Sequence, residues 1–395
     1  MNEMLTRTIS IKLDVTGYEA ALQETQRRFN EAVSWVAGIC WEERITNTNT
    51  AHHRVYGETR SRFGLGAQLA VCARAKAMEA IKAVKAQEKS RKERWASENR
   101  RRRKKGKKPL PPPESAECPQ FGLRGSIRYD ARTYRLLSLS RVSLNTIGGR
   151  ITARLLPGKW QHDMLVDPGW TIGVAELVWR AGTYYLNVTQ SKEAPPERET
   201  TDTLGIDLGM VSLATDSTGE TFSGAHIQKV RLRYSRRRAE LQSKGTRSAK
   251  RRLKKMSGRE SRFQKDVNHR IAKTLVKKAV VSRKALALED LTGIRERVTV
   301  RRENRYERHS WAFFQLRLFL AYKAAWAGVP LYVVGPAYTS QTCSVCGYCA
   351  ASNRHSQASF LCQQCGFCCN ADYNAAINIS RAEPVKQPLV APVRG

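Results

Sequence analysis

Two short cysteine motifs constrain the fold of this chain more than any other feature of its sequence. They are Cys343-Ser-Val-Cys346-Gly and Cys362-Gln-Gln-Cys365-Gly, and fifteen residues separate Cys346 from Cys362. Each motif places two thiols on a tight turn, and the glycine after its second cysteine permits the backbone to reverse. Two such turns predict one tetrahedral zinc site with four thiolate ligands. The predicted Zn²⁺ is structural, because four thiolates leave no coordination position open for water.

Three further cysteines complicate the choice of ligands. Cys349, Cys368 and Cys369 lie close to the two motifs in sequence, but they lack the paired spacing with a following glycine. We therefore expect the four motif cysteines to bind the metal. A set of free thiols is the alternative, although clustered cysteines in a cytosolic protein indicate metal rather than disulfides.

The charge of the chain indicates its partner. The 395 residues include 69 Lys+Arg and 35 Asp+Glu, which gives a formal net charge of +34. A folded protein this basic repels itself unless a polyanion neutralises it. Nucleic acid is the natural partner, because its phosphates release counterions when Lys and Arg bind them. The hydrophobic fraction of 41% is sufficient for folded domains, and this length predicts two or three of them.

A membrane partner is not expected. No apolar run approaches the ~20 residues that span a bilayer, and the sequence does not open with a charged and then apolar signal segment. We expect a soluble, cytoplasmic protein that associates with the nucleoid.

The first part of the chain combines one strand with long helices. Alternation over Thr8–Leu13 predicts a strand, and helical periodicity extends from about Tyr18 to Glu43 and from Gly64 to about Arg94. The basic stretch Arg100–Lys108 and the prolines that follow it predict a break and a mobile excursion. Nucleic-acid contact and a disordered tether are the two interpretations of this stretch.

Short alternating strands follow, from Gly125 to about Val188. The predicted strands are Arg141–Asn145, Gly149–Leu155, Ala175–Trp179 and Tyr184–Val188. The pattern predicts a small β-barrel, completed by the strand at Thr8 with the helices inserted between.

A polar linker at Lys192–Thr203 leads into an α/β pattern. The predicted strands are Leu204–Thr215, Ala285–Glu289 and Leu331–Val334, and the predicted helices are Val230–Leu241, Ser248–Ala279 and Trp311–Ala327. The first two of these helices are strongly basic.

Three acidic residues occupy settings that belong together. Asp207 lies between two glycines in an apolar strand, Glu289 ends another apolar strand, and Asp372 follows the cysteine motifs on a predicted helix. Asn370 is the predicted N-cap of that helix, and its small alanines would let it lie close to the sheet. Each acid alone has an ordinary explanation as a turn, surface or first-turn acid. Together they predict converging carboxylates that bind divalent metal and cut phosphodiesters.

These residues resemble the RuvC-type nuclease domain of the TnpB family, which contains RNA-guided nucleases related to compact type V CRISPR effectors. Four segments are similar to family motifs: Gly205-Ile-Asp-Leu-Gly209, Ala287-Leu-Glu-Asp-Leu291, Tyr338-Thr-Ser-Gln-Thr-Cys-Ser-Val-Cys-Gly347 and Asp372-Tyr-Asn-Ala-Ala376. Trp311-Ala-Phe-Phe-Gln-Leu316 and Tyr322-Lys-Ala324 resemble the helix before the ribbon. The resemblance covers about residues 204–380, whereas the N-terminal half matches in layout only.

The resemblance implies an α+β and α/β multidomain protein. A wedge-like β-barrel would comprise residues 1–15 and 119–195, with a helical recognition insert at 16–118. An RNase H-like RuvC nuclease domain would comprise residues 196–395 and contain a zinc ribbon at 338–370.

The resemblance also implies an activity. The protein would bind a guide RNA, recognise a short target-adjacent motif and open the DNA duplex, while base pairing reads the sequence. Asp207, Glu289 and Asp372 would hold two Mg²⁺ ions about 4 Å apart for hydrolysis of the DNA. An RNA-guided DNA-binding repressor without cleavage is the alternative, and a strand-joining transposase is a third possibility. A monomer is favoured over an oligomer.

The basic helices are the predicted nucleic-acid contacts, with a solvated charged face as the alternative. The candidate residues are Arg231, Arg233, Arg236, Arg237, Arg238, Lys250, Arg251, Arg252, Lys254, Lys255, His269 and Arg270. His269 is equally compatible with RNA contact and with a capping or packing role.

Overall fold

Alternating burial over the first strand, β1 (Met4–Asp14), shows one face packed on a core and the other facing solvent. The computed structural model describes residues 4–209, 211–290, 313–356 and 358–383. The chain divides into two units, one comprising Met4–Lys192 and the other beginning at Glu193.

A seven-stranded sheet forms the base of the first unit. After β1, its strands are β2 (Ile127–Tyr129), β3 (Tyr134–Ser138), β4 (Arg141–Thr146), β5 (Gly149–Leu156), β6 (Thr171–Arg180) and β7 (Thr183–Glu193). A short helix, α4 (Lys159–Leu165), precedes β6. The spatial order is β2-β6-β7-β1-β5-β4-β3. The predicted strands at Thr8, Arg141, Gly149, Ala175 and Tyr184 are confirmed.

The two edges of this sheet approach each other. The hydroxyl of Tyr134 on β3 donates to the carbonyl of Gly173 on β6 at 2.5 Å. The hydroxyl of Tyr129 on β2 donates to the carbonyl of Asn145 on β4 at 3.0 Å. The sheet is therefore a nearly closed barrel, and β1 completes it as the sequence predicted.

Three helices lie between β1 and β2 in the chain: α1 (Glu19–Glu42), α2 (Thr48–Phe63) and α3 (Ala67–Lys104). Phe29 and Val33 of α1 are fully buried in the same apolar cluster as Ile9 and Leu144 of the sheet. The helices and the sheet thus share one core. The division into a wedge-like barrel and a recognition insert remains a prediction.

Sequence reasoning missed one of these helices and ended another too early. The periodicity argument missed α2, whose sequence is mostly polar but whose first turn is capped by the Asn47 side chain. The predicted break at Arg100 is also incorrect, because α3 continues to Lys104. Arg and Lys are good helix formers, and the chain turns only at Gly106, where φ is 63°.

The segment after α3 lies back along the helix. The indole nitrogen of Trp95 donates to the carbonyl of Leu110 at 3.1 Å, and the amide of Leu110 donates to Oδ1 of Asn99 at 2.8 Å. Arg102 donates to the carbonyl of Lys108 at 2.7 Å. These contacts place the proline-rich segment against the helix, while its predicted mobility stays a prediction.

The second unit contains a five-stranded mixed sheet. Its strands are β8 (Asp202–Asp207), β9 (Ser212–Asp216), β10 (Thr221–Ser223), β11 (Lys284–Glu289) and β12 (Leu331–Val334). The order is β10-β9-β8-β11-β12, in which β8, β9 and β10 pair antiparallel while β11 is parallel to β8 and β12. The single strand predicted over Leu204–Thr215 is therefore two strands, because the chain reverses after Asp207.

Helices α5 (Ala225–Lys244), α6 (Arg247–Ser282) and α7 (Phe313–Ala327) accompany this sheet. Leu275 of α6 and Leu320 of α7 are buried with Leu204 and Leu288 of the strands. The predicted basic helices are confirmed. The predicted start of the third helix at Trp311, and Leu291 in the second motif, lie outside the described residues.

The ribbon and the last helix complete the second unit. The ribbon contains a 3₁₀ turn at Ala351–Asn353 and a hairpin of β13 (Ser359–Leu361) and β14 (Cys368–Asn370). Helix α8 (Ala371–Arg381) follows directly. Among the described residues, no helix combines the length and apolar character needed to cross a membrane.

Candidate metal centre and carboxylate site

The four motif cysteines converge in the ribbon. Their sulfur atoms all lie within 4.8 Å of one another, with Cys343 Sγ 3.7 Å from Cys365 Sγ and Cys346 Sγ 3.5 Å from Cys362 Sγ. A tetrahedron with Zn–S bonds of ~2.3 Å requires sulfur separations of about 3.8 Å. The set therefore fits a structural zinc ion, as the spacing predicted.

Glycine and backbone amides shape both cysteine turns. Gly347 and Gly366 have φ of 78° and 71°, the left-handed conformation that glycine adopts without strain. The amide of Val345 points at Cys343 Sγ at 3.4 Å, and the amide of Cys365 at Cys362 Sγ at 3.5 Å. Each amide thus donates toward the first sulfur of its own motif.

Two of the predicted acids lie at the same end of neighbouring strands. Strands β8 and β11 are parallel, and Leu288 is in register with Ile206. The next residues, Glu289 and Asp207, therefore stand side by side where the two strands end. This placement follows from strand pairing across 82 positions of sequence, and the local pattern did not specify it.

The third acid reaches this edge because α8 lies directly against β8. A Cβ atom at Gly205 would be 2.1 Å from the carbonyl oxygen of Ala376 and 2.4 Å from the amide of Ser380. The Asn370 side chain caps the helix, accepting from the amide of Asp372 at 2.9 Å. The predicted N-cap and the predicted close approach of the small residues are both confirmed.

The three carboxylates lie close enough for the charges of Glu289 and Asp372 to act on Asp207. Burial, together with the charges of Glu289 and Asp372, raises the pKa of Asp207 to about 7. Burial also raises the pKa of Glu289 and of Asp372. Such a cluster disfavours its own ionised state unless a cation is present.

The carboxylate oxygens are more widely spaced than the cysteine sulfurs. Within the described ranges, the four cysteines are the only group of three or more potential ligands with all donor atoms inside 4.8 Å. The three carboxylates do not form such a group in the described residues. Three oxygen donors without sulfur or imidazole suit a hard cation such as Mg²⁺.

Sequence reasoning missed two further side chains that lie at this site. Thr339 donates its hydroxyl hydrogen to Oε1 of Glu289. Arg354, which lies between the two cysteine motifs, places Nη2 3.9 Å from Oδ1 of Asp372. Its charge lowers the pKa of Asp207, Glu289 and Asp372, opposing the effect of burial.

Two asparagines of α8 attach the ribbon to the carboxylate site. Asn374 donates to the carbonyl of Thr342 at 2.8 Å and accepts from the amide of Ser344 at 3.0 Å. Asn378 donates to the carbonyls of Thr339 and Thr342 at 2.8 and 2.7 Å. Two asparagines four residues apart on an alanine-rich helix share a face. That spacing was the sequence signal that could have predicted this attachment.

The predicted nucleic-acid residues divide into two groups. The exposed members are Arg233, Arg236, Arg237, Lys250, Arg251, Arg252, Lys254, Lys255 and Arg270. Five of them, Arg233, Arg237, Arg251, Arg252 and Lys255, line a groove of about 680 Å³ between α5 and α6. Positive charge lines the groove from both helices.

The remaining three residues make internal contacts. Arg231 is buried, and Arg238 is paired with the buried carboxylate of Glu260. The ring of His269 is stacked on Phe319 with centroids 3.9 Å apart, and its Nδ1 lies 3.2 Å from the hydroxyl of Tyr322. Burial lowers the pKa of His269. Phe319 and Tyr322 are thus the packing partners of His269.

Comparison with protein families supports the resemblance stated from the motifs. Residues 313–379 match the model of the Cas12f1-like TNB domain, and residues 185–292 match the OrfB_IS605 family, described as a probable transposase. These matches cover the strands that carry Asp207 and Glu289 and the helix that carries Asp372.

Three curated relatives illustrate the similarity. The chain is 29% identical over 245 residues to the CRISPR-associated endodeoxyribonuclease Cas12f1 of Sulfoacidibacillus thermotolerans, covering 56% of each chain. It is 30% identical over 221 residues to the putative RNA-guided DNA endonuclease InsQ of Escherichia coli K12, covering 51% of this chain and 54% of the relative. It is 32% identical over 157 residues to the TnpB-like protein MJ0751 of Methanocaldococcus jannaschii, covering 39% and 56%.

The fold has counterparts among solved structures. A Cas12f1 chain, solved in complex with sgRNA and target DNA, matches with a TM-score of 0.63 at 14% identity over 95% of this chain and 99% of that chain. The mini-RNA-guided endonuclease CRISPR-Cas_phi3 matches with a TM-score of 0.57 at 11% identity over 98% and 94%. The fold is thus that of the compact Cas12 effectors.

The relatives and family models confirm the resemblance to the TnpB family. The chain spans about half the length of the curated relatives named above, since the matched segments cover 54–56% of each relative.

Proposed function

We propose that this protein is an RNA-guided DNA endonuclease that hydrolyses phosphodiesters at Asp207, Glu289 and Asp372. One observation carries the proposal: carboxylates from β8, β11 and α8 interact, since burial and then the charges of Glu289 and Asp372 raise the pKa of Asp207. A purely structural set of acids would be expected to have partners that bring its pKa values below the ordinary range, whereas these three stay raised despite Arg354. The printed names of the Cas12f1 and InsQ relatives support the same activity.

The second unit is proposed to be an RNase H-like RuvC domain. Support comes from its mixed sheet, in which three antiparallel strands are followed by two parallel ones after a helical crossover. Ligand sites of open α/β sheets lie at the carboxyl ends of the parallel strands. Asp207 and Glu289 occupy that edge.

The three carboxylates would hold divalent metal, which we propose to be two Mg²⁺ ions. Bound at such a site, these ions supply activation of water and stabilisation of the leaving oxygen. The protein contributes orientation and charge. The Thr339 hydroxyl fixes one oxygen of Glu289, leaving the other free to bind. Arg354 stands beside Asp372 with a guanidinium that suits a phosphate oxygen.

The basic groove between α5 and α6 is the proposed contact with nucleic-acid phosphates. Its arginines and lysines come from both helices, so the groove presents donors along two walls. Phosphate contacts position a nucleic acid without reading its sequence. This division of roles suits a protein whose specificity resides in a guide RNA that pairs with one strand of target DNA.

The decisive experiment begins with the RNA that copurifies with the protein, which is sequenced to define the guide. The guide-loaded protein is then incubated with a plasmid that carries the matching sequence beside a randomised flanking segment. We expect cleavage with Mg²⁺, none with EDTA, and none with an unmatched guide. Binding without cleavage in Mg²⁺ would favour the RNA-guided repressor instead.

Strand joining is the second candidate, because the matching OrfB_IS605 family is described as a probable transposase. The same reaction can be sequenced for joined DNA ends. We expect hydrolysed ends only. Joined products that depend on Asp207 would instead assign strand transfer to the site.

A further inference from the structure

Tyr338 adopts a backbone conformation that side chains disfavour. Its φ is 62°, in the left-handed region where a Cβ atom crowds the following carbonyl. In the described part of the chain, the non-glycine residues with positive φ are Arg44, Ala181, Arg283 and Tyr338. Within this set, Tyr338 is the residue with an aromatic side chain.

Hydrogen bonds on both sides hold this conformation in place. The carbonyl of Tyr338 accepts from the amides of Gln341 and Thr342 at 2.9 and 3.0 Å, and from the Thr342 hydroxyl at 2.9 Å. The next residue, Thr339, contacts Glu289 through its hydroxyl and accepts from Asn378 through its carbonyl at 2.8 Å. Consecutive Cα atoms are about 3.8 Å apart, so Tyr338 is one residue from a direct contact with the carboxylate site.

Burial does not compensate for the strain. Tyr338 is 65% exposed, so its ring contributes little to the core. Glycine would adopt the same φ without a steric cost, and the turn makes its hydrogen bonds through backbone atoms at this position. Strained backbone clusters at binding and catalytic sites. An exposed aromatic ring held by such a turn, beside the carboxylates, is therefore a candidate binding group.

We propose that Tyr338 is a binding residue that stacks on a nucleobase of the DNA strand whose phosphate lies at the three carboxylates. This inference rests on the proposed function. Every nucleobase presents a π face, so stacking tolerates any sequence. That tolerance is required of a site that cuts wherever a guide directs it. The strained turn fixes the ring, and the stacked base would help to hold the DNA strand at the site.

The test uses the full-length, guide-loaded protein in the Asp207→Asn background, which allows binding without cutting. The probe is a matched DNA with 2-aminopurine placed at successive positions of either strand. Tyr338→Gly removes the ring and relieves the strain, while Tyr338→Phe keeps the ring. Tyr348→Ala removes another exposed ring of the ribbon, and Arg283→Gly relieves strain elsewhere.

We expect Tyr338→Gly to raise the melting temperature of the protein but to weaken binding of the single strand about tenfold, the usual order for one stacked base. In the wild-type ring context, Tyr338 should quench the fluorescence of 2-aminopurine at one position of the strand. Tyr338→Gly should abolish that quenching. Tyr338→Phe and both controls should keep that quenching. With Asp207 restored, Tyr338→Gly should raise KM about tenfold and change kcat little.

If the wild type cuts normally but Tyr338→Gly leaves affinity and quenching unchanged, the role of Tyr338 would be overturned. The proposed function would then still stand. A melting temperature that falls together with cutting would also overturn the role of Tyr338, since the ring would then be structural. Wild-type protein that neither binds nor cuts matched DNA would overturn this inference and the proposed function together.

Discussion

Gly205 of β8 lies against the backbone of Ala376 in α8, where a Cβ atom would be 2.1 Å from the Ala376 carbonyl oxygen. This contact joins the strand that ends in Asp207 to the helix that carries Asp372. The absence of a side chain at one position thus determines how closely two candidate metal ligands approach.

The Gly205→Ala substitution should therefore separate the helix from the sheet. We expect a loss of about 1–3 kcal/mol of stability, the usual cost of overpacking, together with a loss of DNA cleavage. Thermal unfolding and cleavage of a matched plasmid measure the two effects. Gly57→Ala is the control, because a Cβ atom there meets nothing within 4 Å; it should leave cleavage intact.

The Asp207→Ala substitution should abolish cutting and keep guide binding. Loss of one carboxylate removes several kcal/mol of metal-dependent transition-state stabilisation, which corresponds to a rate decrease of at least about 10²-fold. Single-turnover cleavage and a guide-binding assay measure both properties. Asp202→Ala, at the other end of the same strand, is the matched control. Loss of guide binding in Asp207→Ala would show that the residue is structural.

The stability of the Mg²⁺-free protein should fall as pH rises. The carboxyl of Asp207 has an ordinary pKa of 3.8 and a folded pKa of about 7, raised chiefly by burial. Between these values the folded state binds more protons than the unfolded chain, so this contribution to stability decreases progressively with increasing pH. The melting temperature of the zinc-loaded protein without added Mg²⁺ should be lower at pH 8 than at pH 5.

Mg²⁺ should reverse this effect at pH 8, because a cation favours the ionised carboxylates. The Asp207→Asn substitution should flatten the pH dependence in part, since Glu289 and Asp372 are shifted in the same direction. A melting temperature that rises with pH in the wild type, and is insensitive to Mg²⁺, would contradict the shared site.

Zinc should be required for the carboxylate site as well as for the ribbon. Cys343→Ser should lower the zinc content measured by mass spectrometry and should also reduce cleavage, because Arg354 and the contacts of Asn374 belong to the ribbon. Cys349→Ser is the control, since that cysteine lies outside the four-sulfur cluster. Full zinc content in Cys343→Ser would move the ligand assignment to another cysteine.

The groove between α5 and α6 should contribute to the salt dependence of RNA binding. Replacing Arg233, Arg251 and Arg252 by Gln removes three exposed charges from its walls. If each contacts a phosphate, the slope of log K against log salt should decrease by about 2–3. Titration of guide RNA at several salt concentrations measures this slope. An unchanged slope would support the alternative of a solvated charged face.

Local sequence patterns were sufficient to predict several elements of the fold and the cysteine cluster. The cysteine spacing predicted the four-sulfur cluster, and the Asn370 cap and the small residues predicted how α8 begins and packs. The alternating strands of the barrel were also predicted, because burial of one sheet face leaves a period of two in the sequence. Each of these features depends on residues that are close together in the chain.

Only the tertiary structure decided which distant residues meet. Strand pairing set Asp207 beside Glu289, and the folding of the ribbon brought Thr339 to Glu289 and Arg354 to Asp372. It likewise turned Arg238 inward to Glu260 while its neighbours stayed exposed. Periodicity assigns a side chain to a face of its own element, but the partner on that face depends on how the elements pack. The acids were therefore evident from the sequence, whereas their surroundings were not.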